Sequence, residues 1–317
     1  MIAGDHGKNR KFWFVGIAIV IVAITIIIYH NFTIQQKLPR PILTPTAIDI
    51  DTKEGNIIYP SKLDGEEWFM DPDNLDKDKR FDTNAELTKN SDGSWSIDSN
   101  EQTRLKVWTR DSSNFRQQEG MDTYDHNVIK TRGYWYKPSD WKNVEMTGYF
   151  KLKEYVEDEY SIFSRSIWHN RNQSGCGGSD YKLQLHFDGT ISSQKEEWHV
   201  YYTDQPKKWP LEPKRKDVGI GNLTTKWIGL KIIIYNTVGN SSNYPTMEMW
   251  IDQTNNNTWK KVYEYMDVGG WGSTMEKCGG ASDQLITWGS PVATFRWDKT
   301  DNVDFRNLSV REIDPPP

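Results

Sequence analysis

Apolar and polar residues alternate with period two along several stretches of this chain. In Tyr181–Phe187 the apolar set is Tyr181, Leu183, Leu185 and Phe187, and the polar set is Lys182, Gln184 and His186. Val144–Lys153 sets Val144, Met146, Gly148, Phe150 and Leu152 against Glu145, Thr147, Tyr149, Lys151 and Lys153. Glu197–Tyr202 sets Trp198, Val200 and Tyr202 against Glu197, His199 and Tyr201. Leu230–Tyr235 and Met247–Asp252 follow the same rule. Successive strand side chains point to opposite faces, so each run predicts a half-buried strand. Turn residues separate the runs at Asp188-Gly189, Asn236–Ser242 and Asn255–Asn257. Short strands spaced this way predict an all-β fold, an antiparallel β-sandwich or jelly roll.

One stretch departs from this pattern. Phe12–Tyr29 reads FWFVGIAIVIVAITIIIY, without a charge and close to the length that crosses a bilayer. Trp13 and Tyr29 stand near its ends, where amphipathic aromatics favour the interface. A cleaved signal peptide has a shorter apolar run and a small-residue cleavage site, whereas this run ends IIIYHNF. The expectation is an uncleaved transmembrane signal anchor. Lys8, Arg10 and Lys11 precede it, against one Asp5, which predicts a cytoplasmic N-terminus and an external C-terminal domain at the plasma membrane.

The domain reading follows: a cytoplasmic tip over 1–11, the anchor over 12–29, an extended linker over 30–62 and a jelly roll over 63–314. The linker carries Pro39, Pro41, Pro45 and Pro60. Six sequons, at Asn31, Asn172, Asn222, Asn240, Asn256 and Asn307, suit an external glycoprotein.

Composition narrows the class. The 317 residues include Trp 15, Tyr 15 and Phe 11 but only seven Ala, which disfavours a helical bundle. The formal charge of −5 argues against a nucleic-acid partner. Removing residues 1–30 leaves 36 basic against 43 acidic residues, so the external part is −7. Asp204–Asp217 runs against that trend, with three prolines and five basic residues. It reads as a solvated loop or as a rim that meets an acidic glycan.

The polar sides of the strands carry the candidate chemistry. Tyr149, Lys182, Glu197, His199, Tyr235 and Trp250 are candidate ligand-binding residues. Aromatic rings stack on sugar faces, and amides, carboxylates and cations bind sugar hydroxyls. A solvated sheet face without a ligand is the alternative.

Three segments carry a family resemblance: GLKIIIY at Gly229–Tyr235, MEMWID at Met247–Asp252 and NVDFRNLSVRE at Asn302–Glu312. Together they resemble the concanavalin A-like lectin/glucanase superfamily. The resemblance implies an antiparallel jelly roll whose concave face binds or cleaves polysaccharide, with no required cofactor. The closing strand is similar to that of laminarinase-type glucanases, which implies Asp304 as a ligand of a structural calcium. The alternative for Asp304 is a surface residue on an edge strand. The E-x-D-x-x-E pair of retaining glucanases is absent, so glucanase activity is not expected.

Gln184-Leu185-His186 is similar to the Gln-x-His element of alginate-lyase-type jelly rolls. That likeness implies a polyuronate lyase set of Arg165, Gln184, His186 and Tyr201, with Tyr235 as an alternative acid/base. The R-x-E-L-R and Tyr-Phe-Lys-x-Gly elements of those lyases are missing. Three readings therefore stand: a membrane-anchored carbohydrate-binding protein, a polysaccharide lyase, and a structural surface protein without a ligand. Cys176 and Cys278, each followed by Gly-Gly, suit a disulfide in an oxidising compartment. It would close a loop of about 100 residues, worth roughly 4 kcal/mol in the chain-entropy view; free thiols are the alternative.

Overall fold

Four of the five alternating runs form uninterrupted strands; Glu197–Tyr202 does not. The structure is a computed structural model that describes residues 57–99, 101–110, 140–165, 179–197, 200–203, 215–239, 242–272, 283–300 and 302–316. All of them belong to one compact unit, Asp49–Pro317. The segment Phe12–Tyr29, Cys176, Cys278, His199 and the sequons at Asn31, Asn172 and Asn240 lie outside the described residues, as do the side chains of Glu197 and Tyr201. Among the described residues no helix is long and apolar enough to cross a membrane.

The strands are β1 (Glu67–Phe69), β2 (Phe81–Thr83), β3 (Leu87–Lys89), β4 (Trp95–Ile97), β5 (Thr103–Trp108), β6 (Val144–Leu152), β7 (Glu159–Ser164), β8 (Ser179–His186), β9 (Thr190–Glu197), β10 (Val200–Thr203), β11 (Lys216–Asp217), β12 (Trp227–Gly239), β13 (Ser242–Asp252), β14 (Lys260–Met266), β15 (Val292–Trp297) and β16 (Val303–Glu312). Two antiparallel sheets result. The first runs β14-β13-β12-β6-β16-β4-β3, with β1 also on β16. The second runs β10-β9-β8-β7-β15-β5-β2, with β11 also on β9. The run at Glu197–Tyr202 reverses direction: β9 ends at Glu197, and Val200 of β10 pairs back onto it.

One apolar face from each sheet makes the core. Met146, Phe150 and Leu152 of β6, with Leu230, Ile232 and Ile234 of β12, belong to the same buried cluster as Tyr160 and Ile162 of β7 and Leu183 and Leu185 of β8. Phe150 stacks on Tyr160 with ring centroids 4.9 Å apart, one contact joining the sheets. Each such side chain contributes about 1.5–3 kcal/mol by leaving water. In β16 the register shifts between Arg306 and Ser309, and Asn307 takes a positive φ of 51°. Leu308 thereby turns into the core. It lies so close to Gly148 that a Cβ there would stand 2.7 Å from a Leu308 methyl. This is why the apolar set of β6 contains a glycine.

The domain begins before Leu63. Ile58 and Tyr59 pack on Ile233, Tyr235 and Ile313, and Ser61 forms a bridge with Ile313. The backbone of Asp314 donates to the carbonyl of Pro60 at 3.1 Å.

Candidate functional site

The outer faces of the two sheets differ in what their polar groups are doing. On the first sheet, Tyr149, Lys231, Tyr235, Glu248 and Trp250 point away from the core, and every one of them is engaged. Glu145 receives Lys231 and, at 2.8 Å, Arg311. It also accepts the backbone N–H of Ile58 at 3.1 Å. Burial alone would raise its pKa, but the two cations outweigh that and hold it below the ordinary range. Glu248 accepts Tyr59 at 2.9 Å, Trp250 at 2.8 Å and Lys261 at 3.1 Å, with Tyr235 at 3.4 Å. Tyr149 donates to Asp252 at 2.9 Å and packs edge-on against Trp259. Burial first, and then the neighbouring carboxylate, drives its hydroxyl pKa upward. This face is closed by its own salt bridges and by the Ile58–Tyr59 segment. Tyr149, Tyr235 and Trp250 act there as structural residues.

The second sheet carries Lys182, Gln184 and His186 on its outer face, because Tyr181, Leu183 and Leu185 take the inner one. The sequence thus puts all of these residues on polar faces, and the fold sets Tyr149, Tyr235 and Trp250 on one side of the sandwich and Lys182, Gln184 and His186 on the other. β7 and β9 flank β8 and add Glu159 and Ser192. The register sets Glu159 opposite His186 and Ser192 opposite Gln184. Glu159 Oε1 accepts from Gln184 Nε2 at 2.7 Å and from Lys182 Nζ at 3.2 Å. Ser192 Oγ lies 3.0 Å from Gln184 Oε1 and 2.7 Å from His186 Nε2. The other ring nitrogen, Nδ1, is buried without a hydrogen bond and stands 3.8 Å from Glu159 Oε2.

The electrostatics of this cluster are uneven. Burial works to raise Glu159, but Lys182 and the Gln184 amide overcome it and keep the carboxylate ionised. Its neighbour Asp158 moves the other way, raised first by burial and then by Glu159. His186 is pushed down to about 4, first by burial and then by the Arg215 guanidinium. Arg215 belongs to the basic stretch noted in the sequence and pairs with Asp188 at 3.3 Å, on the partly open rim. Further along β8, Asp180 sits directly opposite Glu196, and burial raises the Asp180 carboxyl. Lys182 and Arg296 each lie over the neighbouring Phe163 ring, at 5.5 and 5.7 Å from its centre.

Two expected residues have other duties. Arg165 has a φ of 62°, which breaks the alternation of β7 and turns the side chain off the outer face. Its guanidinium donates to the carbonyls of Lys142 and Ile286 and to Asn236 Oδ1. Burial lowers its pKa to about 10. Arg165 is therefore a clamp between the sheets, and it does not join Gln184 and His186 as the lyase likeness implies. Asp304 is the second case. Lys151 and Lys153 bind it at 2.8 and 2.9 Å, and Ser96 donates to it at 2.5 Å. Two ammonium groups at one carboxylate do not fit a calcium site. Among the described residues no group of three or more acidic, His or Cys side chains could hold a metal.

Glu159 and Ser192 escaped the sequence reading. The signal that could have found Ser192 is the Asp188-Gly189 turn, which fixes the β8–β9 register.

No protein-family model matches the sequence, and no curated protein matches it. Solved structures do. One is the exoplasmic/lumenal domain of VIP36 in a Ca2+/Man3GlcNAc-bound form, with a TM-score of 0.40 and 11% identity over 75% of this chain and 86% of that one. A second is alginate lyase vAL-1 from Chlorella virus, at 0.38 and 10% over 77% and 98%. A third is carbohydrate-binding module CBM66 from Bacillus subtilis, at 0.35 and 9% over 74% and 96%. The fold itself is an all-β sandwich of two antiparallel sheets.

Proposed function

We propose that this chain is a membrane-anchored external protein whose jelly roll binds a glycan on the outer face of its second sheet. One observation carries the reading. Glu159, Lys182, Gln184, His186 and Ser192 form a contiguous donor and acceptor set there, and the set leaves a buried ring nitrogen of His186 unpaired. Buried polar groups are nearly always satisfied, so a free one marks a place for a ligand group or water. On the first sheet Glu145 and Glu248 are instead taken up by Lys231, Arg311, Tyr59, Trp250 and Lys261. Cations, carboxylates and an amide share the second face, which suits sugar hydroxyls and a sugar carboxylate alike. The apolar Phe12–Tyr29 segment and its basic flank support anchoring with the domain outside the cell.

The test is affinity electrophoresis of the detergent-solubilised full chain through gels that hold neutral or acidic polysaccharides. Retarded migration in at least one gel is the expected result. Unchanged migration in all of them would overturn the reading. Protease accessibility of the domain on intact cells, with resistance of the protein to alkaline extraction, tests the anchor and its orientation.

A further inference from the structure

The Ser192, His186 and Glu159 side chains stand in the order nucleophile, base and acid. Ser192 Oγ is 2.7 Å from His186 Nε2, within the reach a serine nucleophile needs. His186 Nδ1 faces Glu159 Oε2 at 3.8 Å, and no other hydrogen-bonding atom satisfies it. An anion on that side favours the tautomer with its proton on Nδ1. Ser192 Oγ donates its proton to Gln184 Oε1 at 3.0 Å, so the attacking state is reached when the hydroxyl turns that proton to the Nε2 lone pair 2.7 Å away. Glu159 stays ionised because Lys182 and Gln184 bind its other oxygen. Lys182 also lies diagonal to Ser192 on the same face, on the side away from His186, since Gln184 is opposite Ser192.

We propose that Ser192 is the nucleophile of an acyl-ester hydrolase site, with His186 as its base and Glu159 as the residue that positions His186. The substrate class is an O-acyl group, such as an acetyl ester, on a glycan hydroxyl. The nucleophile rests on the geometry alone, and the substrate class rests on the glycan reading above.

Ser192 Oγ forms a bond to the acyl carbonyl carbon while its proton passes to His186 Nε2. The bond from that carbon to the sugar oxygen then breaks, and the oxygen leaves with the proton from His186. Water, deprotonated by the same nitrogen, attacks the acyl-serine and releases the carboxylic acid and free Ser192. Nothing is oxidised or reduced, and water is the only co-reactant. His186 is neutral at neutral pH and ready to accept. Ser192 and His186 themselves retain 3% and 2% of their surface, while the side chains of Asp188 and Arg215 beside them retain 38% and 41%.

The full chain is assayed for p-nitrophenyl acetate hydrolysis, for labelling by a fluorophosphonate, and for acetate release from an O-acetylated polysaccharide. The expected result is a label on Ser192 and turnover that Ser192→Ala abolishes. His186→Ala lowers turnover about 10²–10⁴-fold. Glu159→Gln lowers kcat and moves the acid limb of kcat/KM to lower pH, because the ring loses the anion that favours its proton. A purely structural carboxylate would leave that limb in place. Absence of a label, with wild-type turnover equal to that of Ser192→Ala, would overturn the site. Aryl-ester turnover without acetate release would overturn the glycan ester as substrate. Ser192→Ala that still migrates slowly in polysaccharide gels separates loss of catalysis from loss of binding. Turnover in a chain that no polysaccharide retards would leave the hydrolase standing and remove the binding function.

Discussion

Lys195 and Asp267 form an ion pair of 2.7 Å in which neither side chain keeps any exposed surface. Lys195 stands on the inner face of β9. Its ammonium also donates to the Trp271 carbonyl at 2.7 Å and lies over the Tyr181 and Trp271 rings. Tyr181 completes the group by donating to Asp267 at 2.6 Å. The second sheet is thereby fastened to the segment that follows β14. Removing one partner strands a buried charge, which costs about 3–5 kcal/mol, whereas an apolar replacement of both is far milder. Lys195→Met is expected to lose about that much stability in urea unfolding, and Lys195→Met with Asp267→Leu to recover most of it. A single variant as stable as the parent would contradict this account.

Glu145 sets an acid limit on stability. Its folded pKa lies below the ordinary 4.5 because Lys231 and Arg311 outweigh its burial. A depressed carboxylate contributes stability that is complete above its unfolded value and lost as pH falls through the folded one. Glu145→Gln is therefore expected to be destabilised at neutral pH and to lose less on further acidification than the parent. Thermal melts across a pH series give the comparison.

His186 works over a different window. Its folded value of about 4 lies below the ordinary 6.5. The unfolded chain binds more protons between those values, so stability is complete above 6.5 and declines as pH falls towards 4. The C2 proton of His186 should titrate near 4 in an NMR series. Titration near 6.5 would mean the ring is not desolvated.

The two outer faces should respond oppositely to substitution. Lys182→Ala is expected to weaken glycan retention without unfolding the domain. Tyr149→Phe removes the hydroxyl that binds Asp252 and should cost about 1.5–3 kcal/mol of stability while leaving retention unchanged. The reverse outcome would move the binding face to the first sheet.

Asp304→Asn removes the partner shared by Lys151 and Lys153, so a lower melting temperature is expected. Added calcium should not shift the melt of the parent through this residue. A calcium-dependent rise that Asp304→Asn eliminates would restore the metal reading.

Alternation made the strands at Val144–Leu152 and Ser179–His186 legible, since period two depends only on local geometry. Sheet membership was not legible. β6 pairs with β12 and β16, which lie far along the chain, and no local pattern encodes that choice. Hence Tyr149 and His186 looked alike in the sequence and stand on opposite sides of the fold. Arg165 was misread for another reason. A single positive φ at a non-glycine residue flips a side chain, and composition gives no warning of it. Ser192 and Glu159 looked ordinary because their interest lies wholly in cross-strand neighbours.

The hydrogen bond from Asp314 to Pro60, together with that from Lys62 to Glu312, brings the first and last strands of the sandwich to one point. A domain whose ends meet is a cassette. It can be spliced into an exposed loop of a host protein through short connectors, or its ends can be joined and a new opening cut in a surface turn, without breaking either sheet.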